Sequence, residues 1–119
     1  MDTAAIVNAY YDAWRHKRGE MAGVPLADDL DYRGPVASFT DASGFRQMAS
    51  EAGAAVTAFQ VRRQIIEGSV AFSIIDWQMA MLPGDVLTSA EVLEVENGRI
   101  VRGELIYDAE ALRKVMPQS

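Results

Sequence analysis

The chain has no cysteine, one histidine and four prolines, and it lacks any run of about 18 consecutive apolar residues. Without cysteine there can be no disulfide, thiol nucleophile or thiolate metal site. Without a long apolar run a membrane-spanning helix is not expected. The first residues, "MDTAAIVNAYYDAW", carry no basic leader ahead of an apolar segment, so the expectation is a cytoplasmic protein. Also missing are a glycine-rich phosphate loop, a Gly-x-Ser-x-Gly elbow and a His-Glu-x-x-His pattern. Asp28, Asp29 and Asp31 lack the spacing and the terminal glutamate of a calcium loop, and read as a solvated acidic turn. Neither a metal nor a cofactor is expected. Positive charge is in short supply: 11 basic residues face 17 acidic ones, giving a net charge of −6. That balance disfavours nucleic acid and anionic membrane as partners, because both are polyanions.

The 119 residues are 50% hydrophobic, enough for one core and one domain spanning 1–119. From Thr3 to about Lys17, Ile6, Val7, Tyr10, Ala13 and Trp14 recur at helical spacing, with Asp2 or Thr3 placed to cap the start. Arg15, His16, Lys17 and Arg18 close the helix at the negative end of its dipole, which makes His16 a solvated residue rather than a base. Gly19, Gly23 and Pro25 leave room only for a short broken helix around Met21 to Ala27. A third helix is predicted from Asp41 or Ser43 to about Val56, with Phe45, Met48, Ala49 and Ala52 as its inner stripe.

The periodicity then changes to that of strands. "TAFQVRRQIIE", "VAFSIIDWQMAML", "VLTSAEVLEVE" and "RIVRGELIY" are punctuated by Gly68-Ser69, Pro83-Gly84-Asp85 and Asn97-Gly98. Asn-Gly is a strong two-residue hairpin signal, since a type I′ turn needs positive φ at both positions. Helices followed by a strand meander predict an α+β domain, with N-terminal helices on one face of a curved antiparallel four-strand sheet. A short C-terminal helix, Asp108 to Met116, is expected to start on Asp108.

This order of elements, with "AAIVNAYYDAW", "LADDLDYRGPV" and "NGRIVRGELIYDAEAL", resembles the nuclear transport factor 2-like superfamily of cone-shaped, cystatin-like α+β domains. Within it the chain is most similar to the SnoaL-like branch, whose relatives include polyketide cyclases, ketosteroid isomerases and limonene-epoxide hydrolases. That scaffold hosts enzymes, ligand binders and assembly modules, so the likeness implies a fold more sharply than a function. By resemblance to ketosteroid isomerase, the hydrogen-bonding tyrosine falls on Tyr10, the protonated acid on Glu91 and the catalytic base on Gly34, which has no side chain to serve. By resemblance to the epoxide hydrolase, its catalytic aspartate falls on Leu105. Its earlier Arg and Asp fall near Ile75 and Trp77, and a one-residue shift would substitute Asp76. Epoxide hydrolysis by that triad is therefore disfavoured.

Strand alternation places Ser89, Glu91, Leu93 and Val95 on one face. Glu91 is then either a buried acid whose pKa is raised by desolvation or a rim carboxylate paired with an arginine. Tyr10 is a core tyrosine or a hydrogen-bond donor to a ligand. The same alternation puts Trp77 toward a pocket and Asp76 outward, toward a dimer partner as in many members of the superfamily; were the register otherwise, Asp76 would be the surviving base. Trp14, Leu105 and Tyr107 are expected to line the pocket, and Gly103 to open space in it. Tyr32 and Arg33 straddle a corner on opposite faces, so one of them should point inward: an inward Arg33 would bind a carboxylate, an outward one would pair with Asp29 or Asp31. The candidate catalytic residues are thus Tyr10, Glu91 and Asp76, and the candidate ligand-binding residues are Trp14, Tyr32, Arg33, Trp77, Leu105 and Tyr107. The expected protein is a homodimer with an apolar, aromatic-lined cavity for a hydrophobic, oxygenated small molecule. It is either an isomerase or cyclase acting by enolate stabilisation, or a non-catalytic ligand-binding or protein-interaction module.

Overall fold

Asp2 accepts a hydrogen bond from the Ala5 amide at 2.8 Å and so caps the first helix, α1 (Thr3–His16). In the computed structural model, which describes residues 2–115, the chain continues through β1 (Leu26–Arg33), β2 (Ser38–Phe39) and α2 (Ala42–Ala55). It then forms β3 (Val56–Glu67), β4 (Val70–Met79), β5 (Leu87–Glu96), β6 (Arg99–Ile106) and α3 (Glu110–Val115). Asp41 caps α2 through the Gly44 amide at 2.6 Å. Asp108 accepts from the Glu110 amide at 3.0 Å as the chain enters α3; the expected end of that helix at Met116 lies outside the described residues.

β3 to β6 form the predicted antiparallel meander. At its last hairpin Asn97 and Gly98 take φ values of 53° and 75°, with Glu96 paired to Arg99, as a two-residue turn requires. Two expectations fail together. Residues 21–27 are not helical, and the sheet has six strands rather than four, in the order β2-β1-β6-β5-β4-β3. β1 runs parallel to β6, so this curved, unclosed sheet is mixed. The reason is tertiary. Arg46 on α2 donates to the carbonyls of Met21 and Val24, and the Ile100 amide donates to the Pro25 carbonyl at 3.0 Å, so groups that a helix would use internally are spent elsewhere. Three aspartates make "LADDLDYR" a poor strand former locally, yet Leu26, Leu30 and Tyr32 gain burial by lying along β6.

α1 and α2 cover the concave face of the sheet. Ile6, Val7, Tyr10, Tyr11, Phe45 and Ala49 from the helices meet Ala71, Ile75, Leu93 and Ile100 from the strands, forming the core. The opposite face stays open, with Ile65, Phe72 and Ile106 exposed.

Candidate functional site

Between the helices, the 34–37 turn and the concave sheet lies a cavity of about 410 Å³. Its deep end is built on β5, where alternation carries Ser89 and Glu91 inward together. Glu91 is 3% exposed, and its Oε2 accepts hydrogen bonds from the Tyr10 hydroxyl at 2.8 Å and the Tyr32 hydroxyl at 2.5 Å. Tyr10 reaches it from α1 and Tyr32 from β1, so the cluster joins three elements distant in sequence. Tyr11, the next residue on α1, has a buried hydroxyl without a hydrogen-bond partner and lies near enough to favour the ionised form of Glu91.

Burial pushes the Glu91 carboxyl above its ordinary value of 4.5, and the tyrosine hydroxyls oppose that shift by stabilising the anion. Burial also raises Tyr10 and Tyr32, with the Glu91 carboxylate adding to the shift, so neither ionises in the neutral range.

Most of the rest of the wall is apolar. Trp14 stacks on Phe59 at 6.2 Å between ring centroids, and Trp77 meets Tyr107 edge to face at 5.3 Å. The Trp77 indole N–H donates to Ser89 Oγ at 3.1 Å, which fixes the ring on the wall. Leu105, Ile75, Met48 and Met79 are also on the lining. Gly103 has a different role from the one expected. A Cβ there would lie 2.5 Å from the Tyr32 ring, so the space it leaves is filled by Tyr32, its neighbour in the parallel pair, rather than added to the cavity. This close approach holds the Tyr32 hydroxyl at Glu91.

Trp14, Tyr32, Trp77, Leu105 and Tyr107 line the cavity together with Tyr10 and Glu91. Arg33 does not: it is exposed and paired with Asp31 at 3.5 Å. Nor does Asp76, whose carboxylate lies on the outer face in a two-pronged pair with Arg62, both contacts 2.9 Å, and accepts from Thr88 at 2.7 Å. That pairing lowers its pKa and removes it as a base for cavity chemistry. Gly34 is on the cavity wall and presents no side chain to it. Sequence reasoning missed Tyr11 and also Glu51, an exposed acid of α2 on the lining. Four-residue spacing from Gln47 marks Glu51 as part of the helix surface, but nothing local shows that this surface borders a cavity. Among the described residues no group of three or more acidic or histidine side chains is placed to hold a metal.

A family described as SnoaL-like domain matches residues 7–103, a span that contains most of α1, all of α2 and of the strands β1 to β5, the first part of β6 and the cluster on Glu91. The chain belongs to the SnoaL-like domain family. A search of curated proteins found none that matches this SnoaL-like chain. Solved structures with the same fold include a Kribbella flavida protein, 21% identical, with a TM-score of 0.81 and coverage of 92% of this chain and 89% of that one. A steroid delta-isomerase from Pseudomonas aeruginosa is 18% identical, with a TM-score of 0.74 over 92% of this chain and 81% of the other. An epoxide hydrolase of Mycobacterium tuberculosis, resembling limonene-epoxide hydrolase, is 17% identical, with a TM-score of 0.72 over 94% and 86%. At these identities the likeness is one of fold, the nuclear transport factor 2-like fold.

Proposed function

We propose that this SnoaL-like domain binds a hydrophobic small molecule whose single polar head group meets Glu91. The reading rests on a buried carboxylate, held by two tyrosines, in a largely apolar cavity of ligand size. Both tryptophans of the chain line that cavity, so intrinsic fluorescence reports on its occupant. Titration with 4-propylphenol should change the emission saturably, and Glu91→Gln and Tyr10→Phe should each alter the affinity. A linear, non-saturating response would remove the reading.

Catalysis by enolate stabilisation, as an isomerase or cyclase, is the second reading, favoured by the Tyr10–Glu91 pair. It needs a base, and Gly34 supplies none. A general base contributes about 10² to 10⁴-fold, so Gly34→Asp should raise trace isomerisation of a ketosteroid by a measurable part of that range. Efficient turnover by the unmodified chain would instead direct attention to Glu51, the other carboxylate on the wall.

The proposal includes a homodimer through the outer sheet face. Cross-strand rows Ile65–Phe72–Val92 and Ile74–Ala90–Ile106 form its apolar centre, with Arg62 and Asp76 at one end and Glu94 and Arg102 at the other. Sedimentation should give a mass near twice 13.0 kDa, and Phe72→Asp should halve it. A concentration-independent monomer would count against the dimer. A cytoplasmic location belongs to the same proposal and is checked by fractionation. No described helix is long and apolar enough to cross a membrane.

A further inference from the structure

The cavity wall contains two acids, Glu91 and Glu51, and no lysine, arginine or histidine. An anionic ligand would therefore enter a site with no cation to meet it, at a desolvation cost nothing repays. The hydrogen-bond inventory at the deep end narrows the choice further. An ionised carboxylate only accepts, so with Glu91 ionised the hydroxyl hydrogens of Tyr10 and Tyr32 are both committed to its Oε2. Its second oxygen, Oε1, has no side-chain donor among the described residues. What the lining lacks among the described residues is a positive charge, and what it holds in excess is negative potential; the one unpartnered hydroxyl nearby, that of Tyr11, brings no charge. The faces of Tyr, Trp and Phe rings add to that potential, because each carries a negative quadrupole.

We propose that the ligand is a lipophilic amine bound as its ammonium ion, the charged head donating to Glu91 Oε1 and the apolar body lying against Trp14, Phe59, Trp77 and Tyr107. The inference rests on the cavity being a binding site and names the chemistry of its ligand. An ammonium supplies the missing positive charge, donates to Oε1, neutralises the buried acid and gains from the surrounding rings. A ketone or ether supplies none of these and leaves Oε1 unpaired. Ammonium binding and Glu91 ionisation reinforce each other, since the cation reverses the effect of burial. The titratable groups facing Glu91 are Tyr10 and Tyr11 from α1 and Tyr32 from β1, while its cross-strand neighbours Ser73 on β4 and Leu105 on β6 do not titrate. None of the groups packed on Glu91 adds a second proton below the range where tyrosine ionises, so Glu91→Gln isolates its share of the pH response from that of the wall's other acid, Glu51.

The test uses three probes with one body and three heads: cyclohexylmethylamine, cyclohexylmethanol and cyclohexanecarboxylate, each titrated by calorimetry and tryptophan fluorescence. At pH 8 the amine should bind about tenfold or more tighter than the alcohol, a gap within reach of one charge-assisted hydrogen bond with ring contacts, and the carboxylate should not bind. Amine affinity should rise with pH as Glu91 ionises, and Glu91→Gln should erase the preference. Because the three-probe series runs on the unmodified protein, a variant that fails to fold does not weaken it. Alcohol binding as tight as amine binding overturns the amine inference and leaves the cavity reading standing. No saturable binding by any probe overturns both, and an amine preference that survives Glu91→Gln overturns the seat assigned to the ammonium.

Discussion

Glu91 and Asp76 lie on adjacent strands of one sheet, one facing the helices and the other facing away. Glu91 meets tyrosines and no cation, and its pKa rises because burial penalises the charge more than the hydroxyls relieve it. Asp76 meets Arg62 and Thr88 at the surface, and its pKa falls. The same functional group is thus a buried acid without a cation on one face and a solvated surface pair on the other. Burial and the partner's charge decide which, and both are set by strand register.

The largest effect should come from Glu91→Ala, which leaves two buried hydroxyls without their acceptor at about 1–3 kcal/mol each. Urea denaturation should show a loss of that order, while Asp76→Ala should shift the midpoint far less, because exposed ion pairs contribute little. Equal losses from the two variants would erase the contrast. Next comes Gly103→Ala. Its new methyl collides with the Tyr32 ring, and overpacking of this kind costs about 1–3 kcal/mol. The same change should loosen the Tyr32 contact with Glu91 and weaken phenol binding. On the outward side of the same strand, Glu104→Ala should do neither.

A smaller effect is expected from pH. Since the native pKa of Glu91 exceeds its ordinary 4.5, the unfolded chain gives up this proton first as pH rises. Its contribution to stability is therefore full below about 4.5 and is lost as pH climbs through the native value. Asp76 runs the other way: its contribution is present above its ordinary value of 3.8 and is lost as pH falls through the depressed native one. Melting curves from pH 4 to 8 should show a downward trend that Glu91→Gln flattens and Asp76→Asn leaves alone. The smallest effect is on ligand binding by Asp76→Asn, which should be nil by tryptophan fluorescence; a measurable change would mean that the outer face communicates with the cavity.

Much of this was written locally. The alternation in "TSAEVLEV" and "FSIIDWQM" assigns Glu91 and Trp77 to one face and Asp76 to the other, because a strand's side chains alternate whatever surrounds them. Helical spacing put Tyr10 and Trp14 on one stripe of α1, and Asn97-Gly98 closed a hairpin for reasons of backbone sterics alone. The first strand could not be read this way. "LADDLDYR" has weak strand propensity, and its partner β6 lies some 70 residues further along the chain (Tyr32 pairs with Gly103), so only the assembled sheet makes it extended. The meeting of Tyr10, Tyr32 and Glu91 is likewise a tertiary fact. The inward orientation of Tyr10 and Glu91 follows from their own elements, but that of Tyr32, and the convergence of two hydroxyls on one carboxylate oxygen with Gly103 holding a ring in place, depend on distances that no local pattern contains. Sequence periodicity determined which side chains of α1 and β5 point inward; the packing of α1 and the parallel strand β1 around β5 decided that Tyr32 joins them and that they touch.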